Sequence, residues 1–335
     1  MPELTIVALD AMGGDHAPYE MVKGAVEAVN EQSDLKVLVV GDQSKIQEVL
    51  SGFQYPLDRL EIVHASEKIE TAEPPVNAIR RKKDSSLVVA MNLVKRGEAD
   101  GFVSAGSTGA VLVGGQVIVG RIPGVDRAPL AVLIPTSKGV SLLLDCGANV
   151  DARPAHLLQF AQMGSLYMES IVGVKNPSVG IINIGAEEEK GNALVKETFP
   201  LLKENKDIRF IGSVEAREIP SGYADVIVAE AFVGNVILKL MEGVATTLID
   251  MIKGGIRSSL RSKIGGLLVK PALKKTLSTF DVSDHGGAPL LGLKGLVVKT
   301  HGSSTSTEIK NSLIQCIKFK NERIVEKIEQ SLQEV

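Results

Sequence analysis

The stretch LTIVALDAMGGDHAPYEMVKGAVEAVNEQSDLKVLVVG, residues 4–41, decides the fold class. Two short, almost wholly apolar runs, LTIVALD at 4–10 and LKVLVVG at 35–41, flank a longer helical pattern that starts at about Pro18. A run that is apolar at nearly every position suits a strand covered on both faces, and such strands belong to mostly parallel sheets. The alternation continues through RLEIVHA at 59–65, ADGFVSAG at 99–106, PLAVLIP at 129–135 and VSLLLDCG at 140–147. It resumes with SVGIINIG at 178–185, IRFIGS at 208–213, ADVIVAE at 224–230 and GLVVKTHG at 295–302. The sequence therefore reads as α/β, a three-layer α/β/α sandwich around a mostly parallel sheet. In such folds ligands bind outside the carboxyl ends of the strands, so the polar residues that follow each strand are where chemistry is sought.

Composition bounds the rest. With 335 residues, 44% hydrophobic and 23% charged, the chain can bury one large core or two modest ones, which excludes general disorder. No linker or internal repeat divides it, so residues 1–335 read as one compact α/β unit, in one lobe or two. Lys+Arg 37 against Asp+Glu 40 leaves a net charge of -3, which removes a global electrostatic argument for nucleic-acid binding. The opening MPELTIVALD lacks a secretory pattern and the two cysteines, Cys146 and Cys316, are far apart, so a reducing cytoplasm is expected. The long uncharged stretch 101–120 holds six glycines and is too polar to span a bilayer. Residues 251–280 stand out, with seven basic residues and no acid, and read as a basic amphipathic helical arm. Ile256, Leu260, Ile264 and Leu267 recur at helical spacing there, with Leu268 and Val269 adding apolar surface. Such a face suits either anionic lipid or a helical hairpin packed in a dimer.

Several strand ends carry anion-binding chemistry. LDAMGGDHAP at 9–18 sets Asp10, Gly13, Gly14, Asp15 and His16 on one turn, where glycines admit backbone amides to an anion. The alternative is a tight turn with Asp15 capping the helix. SAGSTGA at 104–110 offers Gly106, Ser107 and Thr108 as a phosphate cradle, or as an ordinary helix cap; no lysine follows, so it is not a P-loop. LDCGANVDARPAH at 144–156 brings Asp145, Asn149, Asp151 and Arg153, with Cys146 as nucleophile or packing residue and His156 as a surface residue at a helix start. NIGAEEEKGN at 183–192 places Lys190 and Asn192 after three carboxylates, where they could hold an anion or a polarised carbonyl. Asn235, His285 and His301 open further strand-end or helix-start segments, and RRKKDSS at 80–86 is a local positive patch. No CxxC, HExxH or compact acid–histidine cluster has metal-ligand spacing, so no metal and no cofactor is expected.

Through ALDAMGGDHAP, AIRRKKDSS, SAGSTGA, GRIPGVDR, LDCGANVD, HLLQFAQMGSLY, NIGAEEEKGN, FVGNVILK, GGAPLLG and HGSS, the chain resembles the PlsX family of phosphate acyltransferases nearly end to end. The resemblance implies transfer of a long-chain acyl group from acyl carrier protein to inorganic phosphate. The acyl phosphate formed would serve a downstream glycerol-3-phosphate acyltransferase in phospholipid synthesis. It also implies a cytoplasmic homodimer peripherally attached to membrane, with a fold related to phosphotransacetylases and isopropylmalate dehydrogenases. Two departures stand out: the family usually has Asn at position 107 and Asp-Gly at 230–231, where this chain has Ser107 and Glu230-Ala231.

Under that resemblance, phosphate is already an anionic nucleophile, and the enzyme must align it with the thioester carbonyl and stabilise a tetrahedral oxyanion. Phosphate and thioester binding is expected at Asp10, Gly13, Gly14, Gly106, Ser107, Thr108, Asp145 and Asn149. Lys190, Asn192 and Asn235 are expected to hold phosphate or oxyanion, with His16 or His285 moving a proton. Arg80, Arg81, Lys82 and Lys83 would meet the acidic carrier protein. Ile264, Leu267, Leu268 and Val269 would enter an anionic membrane surface. The alternatives are a phosphotransacetylase-type enzyme that uses acyl-CoA, and a catalytically silent membrane-associated scaffold suggested by the departures at 107 and 230–231. A nucleotide-dependent dehydrogenase is disfavoured because no GxGxxG with a downstream acid is present.

Overall fold

Strands form where the apolar runs lie. A computed structural model describes residues 4–278 and 285–333. The first part of the chain gives β1 (Thr5–Asp10), α1 (Tyr19–Glu31), β2 (Leu35–Gly41), α2 (Gln43–Leu50) and β3 (Leu60–His64). It continues with α3 (Pro75–Arg81), α4 (Ser86–Lys95), β4 (Gly101–Ser104) and α5 (Thr108–Gly114), which widens into a π-helical turn over Gly115–Val119. The middle supplies β5 (Val132–Thr136), β6 (Gly139–Leu144), α6 (Pro154–Tyr167), β7 (Ser178–Asn183), α7 (Ala193–Glu204), β8 (Arg209–Glu215) and β9 (Val226–Val228). Then come α8 (Ala231–Arg257), α9 (Leu260–Ser278), β10 (Ala288–Pro289), β11 (Leu296–Lys299), α10 (Ser306–Asn321) and α11 (Ile324–Gln333).

The strands divide between two sheets. One has the order β10-β11-β4-β1-β2-β3 and the other β5-β6-β9-β7-β8. Both are parallel except for β10 and β5, each antiparallel to its neighbour. The division begins at the β5–β6 hairpin of the second sheet, where Ser137 and Lys138 turn the chain back and Gly139, at φ +120°, opens β6. Hydrophobic runs say that strands exist and not which strands pair, so one sheet or two could not be read from them.

The two sheets share their packing. A single cluster of buried residues joins Leu9 and Val298 of the first sheet to Leu142, Val226 and Phe160 around the second. Tyr167 on α6 meets Phe319 on α10 edge-on, with ring centroids 5.8 Å apart. Backbone bonds tie the seam as well, Ala131 N–H to the Pro289 carbonyl at 3.0 Å and Leu291 N–H to the Pro129 carbonyl at 3.1 Å.

The helical arm is longer than the segment 251–280. It is a hairpin of α8 and α9, and α8 buries only Ala231, Gly234 and Ile237 near its start. The tight approach of α9 to α8 needs Gly266, because a Cβ there would stand 2.4 Å from Ile256 Cγ2. Leu260, Ile264, Leu267, Leu268 and Val269 are all exposed, and so are Phe232, Val236, Leu240, Val244 and Leu248, four residues apart along α8. Positions 279 and 280 lie outside the described residues. α8 is also long and apolar enough to cross a membrane by length and composition.

Candidate active site

The carboxyl ends of β1 and β4 interlock. Asp10 is buried, and its Oδ1 accepts from Ser86 Oγ at 2.5 Å and Met12 N–H at 3.3 Å, while Oδ2 accepts from Ser104 Oγ at 2.7 Å. Ser104 Oγ in turn accepts from Gly106 N–H at 2.9 Å. Gly13 allows this, because a Cβ there would stand 2.5 Å from Asp10 Oδ2 and 2.8 Å from Gly106 N. Burial pushes the Asp10 carboxyl above the usual carboxylate range, against the hydrogen bonds that hold it down. Asp10, expected at the substrate, thus has its oxygens engaged in joining the two glycine turns.

The residues around it divide into inward and outward ones. Ser107 is buried and caps α5, its Oγ accepting from Ala110 N–H at 3.4 Å, whereas Thr108 is exposed. The cap reading of this turn holds for Ser107, while the Thr108 side chain is left at the surface. Asp15 makes no cap: α1 begins at Pro18 without a side-chain capping bond, and Asp15 N–H donates to the Gly302 carbonyl at 2.8 Å. His16 stands exposed on the same turn. Helix α3 lies beside this site, with Pro75 so near Gly109 that a Cβ on the glycine would come within 2.5 Å. Of the positive patch at the end of α3, Arg80, Arg81 and Lys83 are exposed, Lys83 donating to the Ile79 carbonyl at 3.2 Å, and Lys82 is paired with Glu73 at 2.6 Å. One of its four cations is thus neutralised locally.

The second sheet repeats the device. Asp145 is fully buried and accepts from the backbone N–H of Leu130, Gly147, Ala148 and Asn149, and from Asn149 Nδ2 at 2.7 Å. Asn149 is buried too and also donates to the Ala128 carbonyl at 2.9 Å. Both residues frame the turn after β6. Burial raises the Asp145 carboxyl. Cys146 beside it is buried, its Sγ donating to the Leu143 carbonyl at 3.3 Å, and burial pushes its thiol well above the ordinary range. A thiol held protonated in this way is a packing residue and a poor nucleophile. His156, expected on the surface, is buried, and its Nδ1 accepts from Arg153 N–H at 3.1 Å because it closes a capping box at the start of α6.

The start of α8 packs directly on that turn. Glu230 caps the helix by accepting from Phe232 N–H at 2.7 Å and Val233 N–H at 2.9 Å. The carboxylate at this departure from the family pattern therefore works as a cap. Asn235 is exposed next to Gly147, whose φ is +125°. At the end of β7, Lys190 pairs with Glu187 at 2.8 Å, which raises its ammonium and lowers the Glu187 carboxyl. Asn192 caps α7 through Val195 N–H at 2.9 Å. A pocket with Leu157, Ile182, Val195 and Val233 in its wall runs between Asn192 and Glu230. Asn192 and the head of α8 are therefore brought together, while Lys190 has turned toward its own loop. His285 is exposed at the edge of the described residues.

One charged residue escaped the sequence reading. Lys299, the last residue of β11, is only 7% exposed, and burial pulls its ammonium down to about 8. Asp10, Asp15 and Lys239 are all within electrostatic reach of it. Lys239 lies one helical turn beyond Asn235, so the head of α8 bridges from the second sheet to the first. Its signal in the sequence is a lysine closing an apolar run in GLVVKTHG, two residues before His301. Among the described residues, no three His, Cys, Asp or Glu side chains converge as a metal site.

Residues 5–327 match the family described as fatty acid synthesis protein. The chain belongs to that family. It is the PlsX family of the sequence resemblance. A phosphate acyltransferase from Alkaliphilus oremlandii is 49% identical over 326 residues, 97% of each chain. One from Clostridium acetobutylicum is 47% identical over 330 residues, covering 98% of this chain and 99% of its own. This family member is an enzyme of the phosphate acyltransferase kind. Among solved structures, a phosphotransacetylase from Streptococcus pyogenes superposes with a TM-score of 0.63 at 16% identity, over 96% of this chain and 94% of its own. A phosphotransacetylase from Staphylococcus aureus gives 0.59 at 18% identity, over 93% of both. These likenesses bear out the expected fold relation.

Proposed function

We propose that this enzyme transfers a long-chain fatty acyl group from acyl carrier protein to inorganic phosphate, giving acyl phosphate for a glycerol-3-phosphate acyltransferase. The observation that carries the reading is the interlocked pair of glycine turns at 10–14 and 104–108, held by buried Asp10, with the exposed Thr108 hydroxyl at its rim. Backbone amides fixed in this way suit a phosphate without side-chain rearrangement. A phosphate oxygen attacks the thioester carbonyl carbon, the C–S bond of the tetrahedral intermediate breaks, and the carrier's thiolate leaves and takes up a proton. Direct attack is supported by Cys146, which is buried and protonated. Lys190, Asn192 and Asn235 are the proposed donors to phosphate or oxyanion, and His16 or His285 the proton carrier.

The acidic carrier protein docks at Arg80 and Arg81, which are exposed on the helix beside the 104–108 turn. The α8–α9 arm seats on an anionic membrane surface through Ile264, Leu267, Leu268 and Val269, with its basic residues meeting the headgroups. The apolar stripe of α8 pairs with a second copy, so the working form is a cytoplasmic, peripherally attached homodimer.

The test is acyl phosphate formation from palmitoyl-acyl carrier protein and phosphate, with palmitoyl-CoA in parallel. Product from the carrier-protein thioester, alone or much faster, is expected. Product from palmitoyl-CoA alone would make the enzyme phosphotransacetylase-like in its donor. No product from either, with folded protein, would leave the silent scaffold.

A further inference from the structure

Strands β1, β4 and β11 lie side by side, and their register pairs Ser104 with Asp10 on one side and with Lys299 on the other. Two residues earlier in each strand come Ala8, Phe102 and Val297, all in one buried cluster together with Ala110 and Val111 of α5. Side chains two apart on a strand share a face, so Asp10, Ser104 and Lys299 form a row at the strand ends, on the face that α5 covers. The turn that leads into α5 holds Gly106, Ser107 and Thr108.

Lys299 is poorly satisfied where it sits. An ammonium has three donors, and among the described residues its one hydrogen bond is to the carbonyl of Thr300. The nearby Asp10 has both oxygens engaged by Ser86, Ser104 and Met12. Burying a cation without a bonded anion is costly, and an anion arriving at the strand ends would offset that cost. We propose that Lys299 is a phosphate-binding cation of this enzyme, closing the row that Asp10 and Ser104 begin. The proposal rests on the reading of phosphate as acyl acceptor. Lys239 on α8, whose ammonium is paired with Glu242 at 2.7 Å, lies within electrostatic reach of Lys299. Among the described residues, the charged groups that act on Lys299 are Asp10 on β1, Asp15 on the turn after it, and Lys239 on α8, itself paired with Glu242.

The experiment compares wild type with Lys299→Met in steady-state turnover and in calorimetric titration with inorganic phosphate. Loss of one charge-assisted contact should raise the phosphate KM and Kd by about 10- to 100-fold. The KM for acyl carrier protein thioester should stay within about twofold, which a general structural defect would not allow. With an ammonium near 8, wild-type phosphate affinity should fall as pH rises through that value, and Lys299→Met should lack this step. An unchanged phosphate Kd in Lys299→Met overturns the proposal and leaves the acceptor reading standing. If the wild type forms no acyl phosphate, that reading fails, and the titration still decides whether phosphate binds through Lys299; no binding by wild type overturns it. Should Lys299→Met not fold, a wild-type phosphate affinity that stays flat across the alkaline range overturns it equally.

Discussion

Gly234 at the head of α8 lies so close to Asp145 that a Cβ on it would stand 1.9 Å from the Asp145 carbonyl oxygen. A backbone oxygen cannot rotate away as a side chain can, so the helix must move if the glycine is replaced. Gly234→Ala should cost about 2 kcal/mol or more of stability and displace Asn235 from the 145–149 turn. Thermal unfolding together with kcat for acyl phosphate formation checks this. A variant as stable and as active as wild type would show that the contact does not position the site.

Asp10 holds two turns together through two serine hydroxyls. Asp10→Ala would strand Ser86 and Ser104 in a buried site and release Gly106, at an expected cost of about 2–4 kcal/mol. Activity should fall further than stability explains, because the 104–108 amides lose their frame. Comparing kcat/KM with the denaturation midpoint separates the two effects.

Lys299 also makes stability depend on pH with a definite sign. Its folded pKa is about 8 against an ordinary 10.5, so between those values the unfolded chain binds more protons than the folded one. Stability from this group therefore rises as pH increases through that window, and the cost is fully present below it. Integrated, the effect is roughly 3 kcal/mol. The difference in melting temperature between wild type and Lys299→Met, followed from neutral pH to about 10, should narrow or reverse in favour of wild type.

Exposed Leu267 and Leu268 on α9 give the membrane reading a direct handle. Leu267→Glu/Leu268→Glu should abolish co-sedimentation with anionic vesicles while turnover of soluble substrate persists. Unchanged vesicle binding would remove the membrane role of this face and leave dimerisation.

The four cations at 80–83 should differ in effect. Arg80→Glu/Arg81→Glu is expected to raise the KM for acyl carrier protein several-fold, most at low salt, with little change for acyl-CoA. Lys82→Ala should act mainly on stability, since its ammonium is bound to Glu73. Equal effects on both donors would dissociate this helix from carrier recognition.

The candidate site was legible in the sequence as strand-end chemistry. The glycine turns at 10–14 and 104–108 and the segments at 145–149, 183–192 and 230–235 all stand at strand ends or helix starts, as the reading of apolar runs implied. Less legible was the direction of each side chain. Asp10, Ser107, Asp145 and Asn149 look like ligands in the sequence and are turned inward, because a polar residue closing a strand can satisfy neighbouring amides as readily as a substrate. Lys299 shows the converse, since a lone lysine in an apolar run draws attention only once its neighbours are known.

The sequence by itself determined the α/β class, the places where strands end and the basic composition of the arm, since these follow from local periodicity and turn chemistry. Tertiary structure alone decided that the strands form two sheets, that α8 begins the arm well before residue 251, and that Asp10, Ser104 and Lys299 share one edge. The reason is physical: periodicity records which face of an element avoids water, whereas strand partners and facing charges depend on residues hundreds of positions apart being brought into register.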